Sequence, residues 1–452
     1  MGAAAGPLLG GRAVQAWERP FRAEVREGRT ERPNVLVILG DDLGWADLSC
    51  YGAPHIRTPV LDRLAGEGVR FTDGYSAAAV CSPTRFALYT GRYPGRLPGG
   101  LAEPIGGANE RDGIPPDHPT LASLLKGAGY ATAMFGKWHC GHLPWFSPVK
   151  SGWDTFFGNL SGAVDYYSKV GLSGDRDLYE GEVPAESLGY YTDTIADRAA
   201  AFVKEHRDRP WLLNLNFTAP HWPWEAPGDQ EVSKEITEAL KNGEQEALYH
   251  KDGGSIPTYR TMVQTMDAAI GRVLEAVRAS GRENDTLVLF ASDNGGERWS
   301  YLWPLSGGKG RLDEGGIRVP TILRWPARIR PGQVSDVPVI THDWTATILD
   351  AAGVEPAAAY PLDGRSLAPY LLEGGEPPKA PLFWRTRTSR ALRSGNWKYL
   401  RAEGGAESLH DVAADPRERA NRAEDEQKTL NRLRSDWEAI NKDLLPYPES
   451  RR

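Results

Sequence analysis

Cys81-Ser82-Pro83-Thr84-Arg85 sets a thiol two residues before a proline and four before an arginine. As a bare pentapeptide it also fits a buried thiol at a turn, ahead of a helix beginning near Pro83. Asp41-Asp42 directly follow an apolar run, residues 34–39, that reads as a strand. In an open α/β sheet the carboxyl ends of strands are where ligands bind. Two adjacent carboxylates repel unless a cation lies between them, so a hard ion such as Ca²⁺ or Mg²⁺ is a natural partner; a turn or helix cap is the other reading. Ser292-Asp293-Asn294-Gly295-Gly296 repeats the arrangement after a run ending at Ala291 and offers further oxygen ligands, although Asp-Asn-Gly is also a turn signal. Gly136-Lys137-Trp138-His139 sets an ammonium and an imidazole two residues apart, on one side of the chain if the segment is extended. Pro220-His221 comes just after a run ending at Phe217. Lys309 stands among Gly307, Gly308 and Gly310, with Glu314-Gly315-Gly316 downstream, on a loop where backbone can approach an anion. That loop lacks the spacing and the Ser or Thr of a nucleotide-binding P-loop.

These residues need a frame that brings strand ends together. Short apolar runs at 34–39, 131–135, 211–217 and 286–291 read as strands, and helical periodicity covers 58–66, 120–127, 192–206 and 259–280. Alternation of this kind predicts an α/β core with helices on both faces of a sheet. Residues 93–117 and 152–189 lack clear periodicity and read as long surface loops of the kind that build substrate pockets. A segment rich in Pro, Gly and Ala at 355–381 behaves as a boundary. Beyond it, 382–385, 390–393 and 397–400 read as short strands, the last two joined by a Ser394-Gly395-Asn396 turn, followed by a helix over 425–442. The expected organisation is an N-terminal extension or export-signal remnant at 1–32, a catalytic domain at 33–374, and a small α+β subdomain at 375–452.

Charged residues make up 25% of the 452 and the net charge is -7, which argues against non-specific nucleic-acid binding and requires any anionic substrate to meet a local basic pocket. Cys50, Cys81 and Cys140 are too few and too scattered for a disulfide framework or a thiolate metal site. No apolar run reaches the roughly 18 residues of a membrane span, so no integral membrane segment is expected. Met1 to Gly11 is small and apolar, and Ala13-Val14-Gln15-Ala16 is similar to a signal-peptidase site, although a basic segment before it is missing.

Asp41-Asp42, Cys81 through Arg85 with Thr90-Gly91-Arg92, Gly136 through His139, Pro220-His221, Ser292 through Gly296 and Lys309 through Gly316 occur in an order that resembles the type I, formylglycine-dependent sulfatases, arylsulfatase-like members of the alkaline phosphatase superfamily. The resemblance covers roughly residues 33–320, and Gly395-Asn396-Trp397-Lys398-Tyr399 with residues 411–421 is similar to the family's C-terminal subdomain. It departs at Cys140, where relatives often carry an aliphatic residue. The implied fold is α/β and alkaline-phosphatase-like, a large central mixed sheet flanked by helices with a small C-terminal α+β subdomain. The implied activity is hydrolysis of aryl or carbohydrate sulfate esters to alcohol and inorganic sulfate.

The resemblance also implies that a maturation enzyme oxidises Cys81 to formylglycine, whose hydrate attacks sulfur. Asp41, Asp42, Asp293, Asn294 and residue 81 would hold a divalent cation, usually Ca²⁺, with Mg²⁺ as the alternative. Arg85 would favour the alkoxide at residue 81, His139 would deprotonate the second hydroxyl, and Lys137 and Lys309 would hold sulfate oxygens. His221 or Lys309 would protonate the leaving alcohol. Trp222, Trp224, Trp299 and Trp303 are candidates to stack on sugar rings, or to pack the core and anchor loops. A phosphate or phosphonate ester hydrolase of the same superfamily, and a catalytically silent sulfoglycan-binding protein with unmodified Cys81, are the other readings. The family's substrates imply a periplasmic or secreted location, with the cytoplasm as the alternative.

Overall fold

In the computed structural model, which describes residues 32–448, Asn34–Gly40 is buried along its whole length and pairs in parallel with a strand on each side. A strand covered on both faces reads as a continuous apolar run, and this one divides its residues between two cores. Leu36 and Ile38 join the cluster built with Tyr191–Glu205 and Ile256–Ala279, while Val35, Val37 and Leu39 join the one built with Cys81–Thr90, Leu121–Gly127 and Thr341–Ala352. The period-2 alternation of strand side chains produces this two-sided layering.

The central sheet has ten strands. From one edge they run Gln333–Ser335, Val69–Phe71, Thr321–Arg324, Thr286–Ser292, Asn34–Gly40, Trp211–Asn216, Ala131–Gly136, Thr155–Gly158, Tyr179–Glu180 and Val183–Pro184. The five from Thr286–Ser292 to Thr155–Gly158 are mutually parallel, and Thr321–Arg324 adds antiparallel. The expected mixed α/β sheet is therefore present, with its sequence-read strands at its centre.

Residues 152–189 are not wholly loop: Thr155–Gly158 is an inner strand, with Phe156 and Phe157 buried. Its four residues are too short for alternation to show. The helix expected to begin near Pro83 begins at Cys81, two residues earlier. Proline is tolerated there because the first turn's N–H groups have no intrahelical partner.

The tail forms a four-stranded antiparallel sheet, Leu382–Arg385, Arg390–Ser394, Trp397–Arg401 and Glu407–Asp411, packed on the helix Gln427–Lys442. The Ser394-Gly395-Asn396 turn closes its second hairpin, with Gly395 at φ 60°. Glu407–Asp411 was not read as a strand. The tail is tied to the main body by Lys398, fully buried between Glu314 at 3.0 Å and Glu418 at 2.8 Å. The expected N-terminal extension lies outside the described residues, apart from Arg32. Among the described residues no helix is long and apolar enough to cross a membrane.

Candidate active site

Four neighbouring parallel strands deliver the site from their carboxyl ends. Pairing of Gly40 with Ser292 sets Asp41 and Asp42 beside Asp293 and Asn294. Backbone bonds fix the turns: Asp293 N–H donates to Gly40 O at 3.2 Å, and Asp41 N–H donates to Ala219 O at 3.1 Å, drawing in the segment that carries His221. Lys137 N–H donates to Asn216 O at 3.0 Å, adding the fourth strand end. Gly136 makes that turn at φ 105°, and a Cβ there would lie 1.9 Å from Asn216 O. Lys309 comes from a loop stitched across the top, its N–H donating to Gly296 O at 3.0 Å and that of Gly310 to Ala79 O at 2.8 Å.

The charged groups pair off. Arg85 Nη2 lies 2.8 Å from Asp293 Oδ2, Lys137 Nζ bonds Asp41 Oδ2, and Lys309 Nζ is 2.6 Å from Asp42 Oδ2. Cys81, the first residue of its helix, has Sγ 3.4 Å from Asp41 Oδ1 and 4.0 Å from Asp42 Oδ1. Burial, and then the Asp41 carboxylate, push the Cys81 thiol well above its usual value. It therefore stays protonated and is a poor nucleophile as encoded.

Burial and the neighbouring Asp293 also raise Asp41 to about 8. Burial would raise Asp293 too, but Arg85 and Lys137 hold its carboxyl below the ordinary range. Asn294 Nδ2 donates to Asp42 Oδ1 at 2.7 Å, while Asn294 Oδ1 is buried with no hydrogen-bond partner. An orphaned carbonyl oxygen among three buried carboxylates fits a hard, oxygen-liganded cation. Ligand atoms of Asp41, Asp42, Cys81 and His221 all lie within 4.8 Å of one another, which adds His221 to the groups facing that position.

The two histidines are held as different tautomers. His139 Nε2–H donates to Ile105 O at 3.0 Å, leaving Nδ1 buried without a partner. His221 Nδ1–H donates to Trp222 O at 2.7 Å, so its Nε2 lone pair accepts from Lys309 Nζ at 3.1 Å. Burial and the nearby ammonium groups, Lys137 for His139 and Lys309 foremost for His221, hold both rings well below the ordinary histidine value, hence neutral. Burial lowers Lys309, but Asp42 more than compensates and keeps it charged.

Lys137 and His139 do not lie on one extended segment, the condition for sharing a side: His139 sits at φ 52°, in the left-handed region. Thr90, Gly91 and Arg92 close the end of the Cys81 helix, with Arg92 directed to His118 rather than to the cluster. Among the tryptophans, Trp222 packs on His221 with ring centroids 4.1 Å apart, Trp224 is buried, and Trp303 is exposed and covered on one side by Arg417. Sequence reasoning missed Glu297, whose carboxylate lies 3.7 Å from Lys309 Nζ at the half-open rim. The available signal was its place three residues after Asn294, on the same turn.

The sequence matches the family model described as Sulfatase over residues 33–354. N-acetylgalactosamine-6-sulfatase of Homo sapiens is 33% identical over 396 residues, spanning 82% of this chain and 72% of the relative. Arylsulfatase A of Bos taurus is 34% identical over 418 residues, spanning 85% and 77%. The crystal structure of Ps i-CgsB superposes with a TM-score of 0.82 at 28% identity, covering 93% of this chain and 96% of that one. The latter protein is also seen in complex with k-i-k-neocarrahexaose.

Proposed function

We propose, from the premise that this chain belongs to the sulfatase family and is a sulfuric ester hydrolase, that it cleaves sulfated carbohydrates with a formylglycine at position 81 and one divalent cation. The observation that carries the proposal is the setting of Cys81, a thiol kept protonated against Asp41 and Asp42 and ringed by Lys137, Lys309 and Arg85. Position and charge suit a nucleophile attacking an anion, and the encoded thiol does not. Oxidised by a maturation enzyme, residue 81 supplies a hydrated aldehyde, an oxygen nucleophile with a second hydroxyl by which sulfate can later be expelled. A cation, Ca²⁺ or Mg²⁺, held by Asp41, Asp42, Asp293 and Asn294, supplies Lewis-acid stabilisation of negative oxygen.

The chain's own side chains account for the rest. Lys137 and Lys309 stand on the two sides of the aspartate pair and bind the equatorial oxygens of the ester. Arg85, engaged with Asp293 and with Lys137 O at 3.0 Å, orients both partners. His139 Nδ1, neutral and unpartnered, accepts the proton of the second hydroxyl. His221 is neutral with Nε2 already accepting from Lys309, so Lys309 is the proton-bearing member of the pair and gives its proton to the leaving alcohol; the His221 lone pair orients that ammonium, and solvent reaching the partly exposed Lys309 returns the proton. Among the described residues one Asp/His/Cys group is close enough to share an ion, which suits single-cation sulfate chemistry better than two-metal phosphate chemistry. Trp222 beside His221, and the oligosaccharide complex of the structural neighbour, favour a sugar as the alcohol. Such substrates favour a periplasmic or secreted setting.

The test is mass spectrometry of the peptide spanning residues 71–85, from protein made in its native host, together with sulfate release by a Cys81→Ala variant. Formylglycine at 81, and loss of sulfate release in the variant, are the expected results. Active enzyme carrying only cysteine at 81, or a variant with full activity, would overturn the proposal.

A further inference from the structure

Glu297 is a surplus carboxylate. Asp42 already neutralises Lys309 at 2.6 Å, yet Glu297 Oε2 stands 3.7 Å from the same ammonium, on its solvent side, with the Glu297 side chain 39% exposed and that of Lys309 16% exposed. A second negative charge beside a group that must hold a sulfate ester weakens anion binding by simple Coulomb repulsion. Burial and the nearby Asp42 raise the Glu297 carboxyl above its ordinary value and the Trp222 side chain already bonds it, and in return it keeps a strong acceptor position for one hydrogen-bond donor on the substrate. The donor's position follows from geometry. As the proposed proton donor to the leaving alcohol, Lys309 must also reach the bridging oxygen of the ester, and a hydroxyl on the adjoining carbon lies about one hydrogen-bond length from that oxygen. Glu297 is therefore within reach of a neighbouring hydroxyl, while Trp222, over whose ring Lys309 lies at 5.8 Å, walls the same corner.

Building on the sulfatase reading above, we infer that Glu297 is a specificity-determining residue that accepts a hydrogen bond from a free hydroxyl vicinal to the sulfate ester. It selects esters of vicinal diols, such as monosulfated sugar rings, and rejects those whose neighbouring position carries a second sulfate.

The experiment measures inorganic sulfate release from catechol monosulfate, which has the neighbouring hydroxyl, from phenyl sulfate, which lacks it, and from catechol disulfate. The wild-type enzyme and the Glu297→Ala and Glu297→Gln variants are compared. The readout is the ratio of kcat/KM between catechol monosulfate and each of the other substrates, which cancels any general damage to the site. Glu297→Ala should lower the monosulfate-to-phenyl ratio at least about tenfold, the scale of a hydrogen bond to a charged group, and should raise relative turnover of the disulfate. Glu297→Gln, which keeps a carbonyl acceptor without the charge, should recover part of the first ratio and tolerate the disulfate. Unchanged ratios in both variants overturn the inference while leaving the sulfatase reading intact. Failure of wild-type enzyme carrying formylglycine at position 81 to release sulfate from any of the three and from monosulfated sugars overturns both.

Discussion

At the scale of single residues, the site shows how burial assigns protonation. Lys309 keeps its proton because Asp42 lies against it, and His221 stays neutral because burial, and then the charged Lys309, disfavour a proton on it. On the proposed mechanism, replacing Lys309 with Ala should therefore remove a sulfate contact and the proton donor together. We expect a loss of about 3 kcal/mol or more of transition-state stabilisation, read as a fall of at least about a hundredfold in kcat/KM on an aryl sulfate. A second residue-scale prediction concerns stability. His342 is fully buried, edge-on to Tyr93, and burial holds it at about 4. Its folded value is depressed, so the unfolded chain takes up a proton that the folded one refuses. Stability is then lost as pH falls from about 6.5 towards 4. Asp47 and Asp343, raised by burial to about 6, slope the other way in wild type and variant alike, so the comparison isolates the histidine. In His342→Asn the stability lost between about pH 7 and pH 5 should be smaller by about 2 kcal/mol, measured by urea denaturation at both pH values.

At the scale of elements, the site is an outcome of strand register. The residues read from the sequence as strand-end carboxylates, lysine and histidine do converge, because five parallel strands present their carboxyl ends to one edge. Long buried runs such as Val35 to Leu39 and Val288 to Ala291 were legible, since every residue is apolar. Thr155–Gly158 and Glu407–Asp411 were not: the first is too short for a pattern, and Glu407 and Asp411 carry charges suited to a tail edge. Glu297 escaped notice because its meaning depends on Lys309, which is near only in space. Close approach of elements supplies the prediction at this scale. A Cβ on Gly295 would lie 1.9 Å from Gly315 O, where the Asp293-Asn294 turn meets the helix Glu314–Ile317. Gly295→Ala should force the two apart, cost about 1–3 kcal/mol in chemical denaturation, and lower activity beyond that by displacing Lys309.

At the scale of the whole molecule, the C-terminal sheet is joined to the body by a buried apolar cluster, Leu382, Trp384, Ala391 and Leu400 against Tyr75, Ile317 and Ile340, and by buried charge. Lys398 on the tail strand bridges Glu314 and Glu418, all three side chains buried, and Glu314 also accepts from the Tyr75 hydroxyl at 2.6 Å. Burial alone would raise Glu314, but Lys398, Arg318 and Arg393 hold it down at about 2. Removing one partner of such a network strands the others without water, so Lys398→Met should destabilise the protein by about 3–5 kcal/mol in guanidinium unfolding. The pairing inside the site has a different meaning for the molecule at work. Asp41 holds Lys137, Asp42 holds Lys309 and Asp293 holds Arg85. An anion can win those cations only as the carboxylates let go, and the carboxylates let go most readily to something positive. Capture of sulfate and occupation of the aspartates are thus two sides of one exchange: each tightens the other by the same factor, so an enzyme stripped of one becomes reluctant towards its counterpart.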